Sequence, residues 1–379
     1  METRKRKDSC NILGVEIDRF TIKEMLDEVE SFIGEKGAHE IYYVNSDCIN
    51  RSFFDKKYRL IIKNANLVYP DGMGVVWASR FTQAPLKERV NLGDFLPQLC
   101  SLCARKGYSI YILAGTEGVA QEAAKNLRKN FTGLNIKGTH HGFFNEKEEA
   151  DIIDEINTLR PDILLVGMGV PKQERWIHRN KRRLNTAVLW GVGALFDYYS
   201  LRIKRAPVWM RQTGLEWLFR LGLEPSRLWR RYILGNIFFI WRVFLLLLVD
   251  AIFVSIAWCG AYWVRYSLNS VLQYSINPFG IYIKSLPFVI MLWIGTCAYF
   301  NLYIPRWSKA SKVLEVSSIV KAVIMGLLVA MSLSFLLKEF EYGRSVILLW
   351  GIFSFISLIF SRAIFWYIDN KIATRKYHD

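Results

Sequence analysis

The 379-residue chain has little cysteine and no disulfide framework. Its six cysteines (10, 48, 100, 103, 259 and 297) include one CxxC, Cys100–Cys103, which has no partner pair and lies in a helical pattern. Zinc and redox motifs need a second pair or a βαβ redox context, so these two read as small residues one helical turn apart. Behind the basic start METRKRK there is no apolar stretch of the kind a cleaved signal requires. The first part of the chain is therefore expected to stay in the cytoplasm. No Walker A lysine motif occurs and no GxGxxG follows the first strand pattern, which argues against P-loop and NAD-binding classes. His140 and His141 are adjacent, and neighbours in an extended segment point opposite ways. No acidic or cysteine cluster accompanies them at ligand spacing, so no metal is expected there.

What is present divides the chain. Half of the residues are hydrophobic (52%) and the net charge is +16. Up to residue 236 the apolar residues form short runs broken by charge. Beyond it they form blocks of about 20, enough to cross ~30 Å of hydrocarbon. The expected spans are 243–264, 284–303, 316–337 and 345–368, with Trp and Tyr at their edges as in interface belts. Arg227, Arg230, Arg231 and Arg242 precede the first span. Arg306, Lys309 and Lys312 lie between the second and third, and Lys371, Arg375 and Lys376 follow the fourth. The other loops are poorer in base: Arg265 stands in one, while Glu339 and Glu341 offset Lys338 and Arg344 in the other. The positive-inside rule then places both termini in the cytoplasm. Asp250 and Arg362 fall within spans, where charge is expensive and marks either a functional site or a pair.

Residues 201–236 hold eight Lys and Arg against two Glu. A basic excess beside a membrane suits anionic lipid or a lipid-linked phosphate. Nucleic acid is not expected, since no motif for it accompanies the charge.

In the first 200 residues β-rich runs alternate with helical patterns. Strands are expected at 41–45, 67–69, 109–114, 135–137, 162–167 and 187–192. Helices are expected near 22–36, 47–64, 93–106, 117–130, 146–159 and 172–184. Such alternation predicts an α/β fold, a Rossmann-like, mostly parallel sheet with helices on both faces, followed by an all-α four-helix transmembrane bundle. Ligands of open α/β sheets bind beyond the carboxyl ends of the strands. There the chain carries Asn45, Pro70-Asp71-Gly72, Gly115-Thr116-Glu117-Gly118, Gly167-Met168-Gly169 and Gly193-Ala194. Glycine lets backbone approach a ligand, and helix starts offer N–H groups to phosphate. Together these turns suit a nucleotide-type ligand. Asp71 carries two readings: a general base on an acceptor hydroxyl, or a turn residue bonding its own backbone. Asp197 is similarly a ligand contact or a helix N-cap.

Taken in order, these turns resemble the WecG/TagA/CpsF glycosyltransferases, glycosyltransferase family 26, over about residues 11–234. The likeness is carried by Asn45, PDGMGVVWASR at 70–80, ERV at 88–90 with GD at 93–94, and YILAGTEGVAQEAA at 111–124. It continues through GTHHGFF at 138–144, PDILLVGMGVPKQERWI at 161–177, GVGALFDYY at 191–199 and KRAPVWMRQTGLEWLFRLGLEPSRLWRRY at 204–232. The resemblance implies inverting, metal-independent transfer without a cofactor. The sugar, typically N-acetylmannosamine, would pass from a UDP-sugar to polyprenyl-diphosphate-linked N-acetylglucosamine, as in teichoic acid, capsule or exopolysaccharide assembly. It puts the catalytic base on Asp71, nucleotide-sugar contacts on Asn45, Arg89, Gln173 and Asp197, and lipid-diphosphate contacts on Arg220, Arg227, Arg230 and Arg231. Arginine suits phosphate because its planar fork binds bidentately. Many members have Thr two residues before the asparagine; Tyr43 stands there instead, which bears on sugar preference.

The expected organisation is a cytoplasmic α/β glycosyltransferase domain over 1–200, an appendage completing the active site over 201–236 and a membrane domain over 237–379. The last is similar to the N-terminal part of polyprenyl-phosphate hexose-1-phosphate transferases, through the early Asp250, Trp263–Tyr266, Asn301–Tyr303 and Ser361-Arg362. Without the catalytic domain of those enzymes in these residues, phosphosugar transfer is not the expected activity. Expected partners are the UDP-sugar, the lipid-linked acceptor and the bilayer of a bacterial cytoplasmic membrane, with other polysaccharide-assembly enzymes or a second copy as further ones. Two rival readings are a non-catalytic scaffold or UDP-sugar sensor, and a phosphosugar transferase.

Overall fold

The computed structural model describes residues 8–82, 84–272, 276–300, 302–303, 309–336 and 343–375. The basic start, Asn301, Arg306, Lys338, Glu339, Glu341, Lys376 and residue 337 of the third expected span lie outside the described residues. The chain forms two compact units, Met1–Arg80 with Ala84–Phe239, and Phe81–Gln83 with Ile240–Asp379.

The first unit opens with an antiparallel hairpin that the sequence patterns do not announce, β1 (Ser9–Ile12) and β2 (Val15–Asp18). Its two turn residues, Leu13 and Gly14, both have positive φ (49° and 87°). Hairpin turns favour that geometry, but it is signalled by Asn-Gly rather than Leu-Gly. Helix α1 (Ile22–Gly34) starts on a reciprocal cap between Thr21 and Glu24, the S/T-x-x-E signature read directly from the chain. Strand β3 (His39–Val44) follows. The single helix expected over 47–64 is two, α2 (Ser46–Phe54) and α3 (Lys56–Asn64). Asp55 breaks it: its carboxylate accepts from the Tyr58 N–H at 2.9 Å and caps the second helix, a local bond that competes with helix continuation.

Next come β4 (Leu67–Pro70), α4 (Met73–Ser79), α5 (Leu92–Lys106), β5 (Ser109–Ala114) and α6 (Val119–Asn130). They are followed by β6 (Asn135–His140), α7 (Glu146–Leu159), β7 (Ile163–Gly167), α8 (Lys172–Asn180), β8 (Val188–Gly191) and α9 (Leu195–Tyr199). Strand β6 outruns the expected 135–137 because it pairs with β5 through a register shift at Ile110/Tyr111. As a half-buried edge strand it lacks a strong apolar signal.

The six strands β3 to β8 form one parallel sheet in the order β4-β3-β8-β7-β5-β6. Alternate residues Ile41, Ile110, Ile112, Ile163, Leu165 and Trp190 share a core with Met25, Val29 and Phe32 of α1 and Phe95, Leu96 and Leu99 of α5. Cys100 and Cys103 sit in that core, and burial pushes both thiols up to about 12. The outer N–H of edge strand β4 is not left bare: Val68 N donates to Asp18 Oδ2 at 2.7 Å, which covers a strand edge that would otherwise pair with another chain.

Short helices α10 (Val208–Gln212), α11 (Glu216–Leu223) and α12 (Pro225–Trp229) follow, then a π turn at Arg230–Leu234 and α13 (Gly235–Ser267). After α14 (Asn269–Leu272) come α15 (Phe279–Tyr299), α16 (Lys309–Leu336) and α17 (Arg344–Arg375). Four helical runs are long and apolar enough to cross a membrane: Pro225–Ser267, Phe279–Tyr299, Val316–Leu336 and Arg344–Ile364. The second begins a turn before the expected 284–303 because Pro278, not Lys284, opens the helix.

Within the second unit Trp258, Trp293 and Trp350 pack together at ring distances of 5.0–5.3 Å. Leu248, Ile252, Ile324, Leu328, Ile352 and Ile356 are turned outward, as lipid-facing residues are. Gly351 lets α16 and α17 approach, since a Cβ there would lie 2.7 Å from Leu327. Asp250 and Arg362 face each other, fully and nine-tenths buried, in a two-pronged pair at 2.7 and 2.9 Å.

Candidate active site

Parallel pairing of β3 with β4 sets Val44 opposite Pro70, so the next residues, Asn45 and Asp71, lie side by side at the carboxyl edge of the sheet. The Asp71 N–H donates to the Val44 carbonyl at 2.9 Å. Gly72 makes the approach feasible, because a Cβ on it would stand 3.1 Å from that of Asn45. Asn45 caps α2 with its Oδ1, accepting from the Cys48 N–H at 3.1 Å, which directs its Nδ2 elsewhere.

Asp71 does not make the turn bond to its own backbone. Its Oδ1 instead accepts from Asn91 Nδ2 at 2.8 Å. Burial pushes its carboxyl up to about 6; Arg89 pulls it down, Glu216 pushes it up, and Arg220 and Arg205 pull it down. A carboxylate poised near neutrality can take a proton at working pH and hand it on.

Around it stands a group of charges drawn from two stretches of chain. Arg89 pairs with Asp94 at 2.8 Å and lies 3.7 Å from Glu216. Arg205 pairs with Asp94 at 2.9 Å and lies 3.5 Å from Glu216. Arg211 also binds Asp94. Arg220 packs over the Tyr198 ring, 5.4 Å from its centre. Asp197 is the third residue of α9 and not its cap, which is Ala194. Burial raises the Asp197 carboxyl, while Arg220 and Arg227 pull it down.

The four appendage arginines have different nearest partners, although Arg220 and Arg227 both act on Asp197 and Arg231 acts on Arg220. Arg231 pairs with Asp47 at 3.3 Å and lies near Tyr43. Arg220 faces Asp71 and Asp197. Arg227 pairs with Glu224, and exposed Arg230 lies against its neighbour Trp229.

Gln173 is fully buried and bonded to protein groups at the strand ends. Its Oε1 accepts from the Gly193 N–H and its Nε2 donates to Glu174 Oε1, both at 2.9 Å. It thereby shapes the Gly193 turn. That turn needs glycine twice over, for its φ of 63° and because a Cβ would meet the Tyr43 hydroxyl at 2.5 Å. Asn91, Arg205, Glu216 and Tyr198 were not singled out from sequence. Asn91 sits just before a helical run and reads as a cap; Arg205 and Glu216 read as members of a basic, solvated stretch.

The structure also reveals Glu174, fully buried, with Oε2 unpartnered. Burial raises its carboxyl to about 7, opposed by the Gln173 bond. Its unfolded value is near 4.5, so between 4.5 and 7 the folded state holds the extra proton. Stability therefore falls as pH rises through that window, by up to about 3 kcal/mol. Glu174→Gln removes the titration: it should gain thermal stability over wild type at pH 8 and little at pH 5. An equal difference at both pH values would show that Glu174 does not titrate there.

The His140 and His141 rings lie 4.3 Å apart, tilted by 40°, with Nδ1 of the first against the carbonyl of the second at 2.9 Å. Among the described residues no three His, Cys, Asp or Glu are grouped to hold a metal. Farther along the sheet, connections leave β5 and β7 in opposite directions, towards β6 and β8. Ligands favour such a switch point. There the Gly115 N–H donates to the Gly167 carbonyl at 3.1 Å.

The profile of the family described as Glycosyl transferase WecG/TagA/CpsF matches residues 10–250. Two similar relatives come from Staphylococcus aureus strains NCTC 8325 and MRSA252. Each is named N-acetylglucosaminyldiphosphoundecaprenol N-acetyl-beta-D-mannosaminyltransferase. Each is 27% identical over 232 residues, covering 61% of this chain and 91% of the relative. Residues beyond 250, most of the helical bundle, lie outside the matched region.

Proposed function

The chain belongs to the WecG/TagA/CpsF glycosyltransferase family, and on that premise we propose that it moves N-acetylmannosamine from a UDP-sugar to polyprenyl-diphosphate-linked N-acetylglucosamine. The observation that carries the reading is Asp71. It is a partly desolvated carboxylate beside Asn45, with Arg89, Arg205 and Arg220 around it, in a chain that spans nine-tenths of relatives named for this transfer.

Asp71 takes the proton of the acceptor hydroxyl. That oxygen bonds to the anomeric carbon from the face opposite the diphosphate, the bond to UDP breaks, and its electron pair leaves with UDP. Configuration inverts. Arg89 and Arg220 meet the charge that develops on the departing diphosphate, the kind of preset electrostatics that lowers such barriers most. Arg231, Arg227 and Arg230 serve the lipid diphosphate. Asn45 and Asp197 contact the donor, and Gln173 acts through the Gly193 turn. From β4 to β7 is three strand spacings, about 14 Å, a span that suits a nucleotide at the switch point with its sugar at Asp71. The reaction is metal-independent on this reading, with arginines in place of a cation. The catalytic unit and both termini lie on the cytoplasmic side of a bacterial membrane, where the charged loops favour them.

Purified full-length protein given a panel of UDP-sugars and polyprenyl-diphosphate N-acetylglucosamine should release UDP and form a lipid carrying one more N-acetylhexosamine. The rate should be unchanged by EDTA. Release of UMP would instead mark phosphosugar transfer. UDP-sugar binding without turnover would mark a sensor, and loss of activity with EDTA would overturn metal independence.

A further inference from the structure

Helix α5 begins with two residues that helices avoid and one that does not do its usual work. Asn91 holds the N-cap position with extended backbone (φ −104°, ψ 114°), yet its side chain makes no cap bond. Gly93 is in the first turn without needing a positive φ, and Pro97 lies inside the helix four residues later. Proline has no N–H, so the Gly93 carbonyl loses its helical donor, and the ring pushes that carbonyl outward. It is satisfied from elsewhere, by Arg205 Nη1 at 2.6 Å and the Tyr199 hydroxyl at 3.1 Å. The same guanidinium reaches Asn91 Oδ1 at 3.0 Å and Asp94 at 2.9 Å. A Cβ on Gly93 would lie 2.7 Å from Arg205 Nη2 and 2.9 Å from Asn91 Oδ1. Residues 91, 93 and 97 thus build a dock for one arginine located 112 residues beyond Gly93.

Asn91 passes this docking on. Its Nδ2 donates to Asp71 Oδ1 at 2.8 Å while its Oδ1 accepts from Arg205. The orientation of the amide is set by chemistry: a guanidinium can only donate and a carboxylate can only accept. A side chain with one face of each kind is needed between them. Aspartate would repel Asp71, and leucine would contact neither partner.

We propose that Asn91 is a positioning residue that couples the docked Arg205 to Asp71, holding one carboxylate oxygen and its charge so that the other meets the acceptor hydroxyl. This rests on the reading of Asp71 as the base. The charged groups acting on Asp71 are Arg89, Arg205, Arg220 and Glu216, and Asp71 in turn acts on the nearby Tyr43 and Tyr69. Among the described residues, Asn91 makes the side-chain hydrogen bond to the Asp71 carboxylate. A bond to the charged form lowers a carboxyl's proton affinity, so its loss moves the titration of Asp71 upward.

The test is the pH profile of kcat/KM from pH 5 to 9 for wild type, Asn91→Leu, Gly93→Ala and Asp71→Asn as full-length protein. Asn91→Leu should move the acid limb up by about one pH unit, read as roughly tenfold loss below the limb that recovers as pH rises. Gly93→Ala, whose Cβ would crowd both the Arg205 guanidinium and the Asn91 oxygen while all three side chains remain present, should move it the same way. A uniform loss at every pH, or an unmoved limb in both variants while Asp71→Asn is inactive, overturns the coupling alone. Wild-type turnover by Asp71→Asn overturns the base reading, and the coupling with it.

Discussion

Asp71→Asn lowers kcat by about 10²–10⁴-fold, with UDP-sugar binding close to wild type. The substitution keeps shape and keeps an oxygen for the bond that Asn91 Nδ2 now makes at 2.8 Å. What it removes is the capacity to take a proton. Because burial holds the wild-type carboxyl up to about 6, the sign of the pH dependence follows. Below pH 6 the base is protonated and the rate falls roughly tenfold per pH unit; above it the rate levels. Asp71→Asn should show no such limb in its residual rate. Single-turnover rates with saturating acceptor, set beside nucleotide-sugar affinity by calorimetry, separate the two effects. Turnover within a few-fold of wild type, or a residual rate with the limb intact, would assign the proton transfer to another group.

The second large effect belongs to the helical bundle. Asp250→Leu leaves the guanidinium of Arg362 buried without its carboxylate. Removing one partner of a buried pair costs about 3–5 kcal/mol, whereas replacing both with apolar residues is often neutral or stabilising. Arg362 is held at its two terminal nitrogens, at 2.7 and 2.9 Å, and Ser361 lies 3.3 Å from the same carboxylate. Thermal unfolding in detergent should therefore show Asp250→Leu and Arg362→Leu each strongly destabilised, and the double variant close to wild type. If the double variant lacks glycosyl transfer while its stability is restored, the pair has a function beyond neutralising itself. If the two single losses simply add, the residues do not act as a pair.

Much of this molecule can be read from local pattern. The inner parallel strands announce themselves because strands buried on both faces carry near-continuous apolar runs, as in Ile163–Gly167, where all five residues are buried. Asp71 is legible as a candidate from its place at a strand end, but a turn role is an equal reading there, and its bond to Asn91 is visible only in the fold. The β1–β2 hairpin is not legible, since Leu13 in a left-handed conformation contradicts its own propensity and only the surrounding fold sustains it. Gln173 was expected to contact the ligand; it is buried and bonded to protein groups, since the partners of a residue at a helix start depend on the neighbouring strand. Here that neighbour is the turn after β8. Arg205 and Asn91 are 114 residues apart. No window of sequence contains both, and each looks ordinary in its own.

Pro97 and Gly93 have a consequence for anyone wishing to make this protein more robust. Alanine at either position improves helix propensity, by roughly 3 and 1 kcal/mol, and a stability-guided redesign would choose them first. Alanine at 97 would return the Gly93 carbonyl to its own helix and take it from Arg205; alanine at 93 would fill the space that the guanidinium occupies. The tougher enzyme would be the slower one at mildly acidic pH, a trade between durability and activity of the kind natural sequences settle in favour of activity.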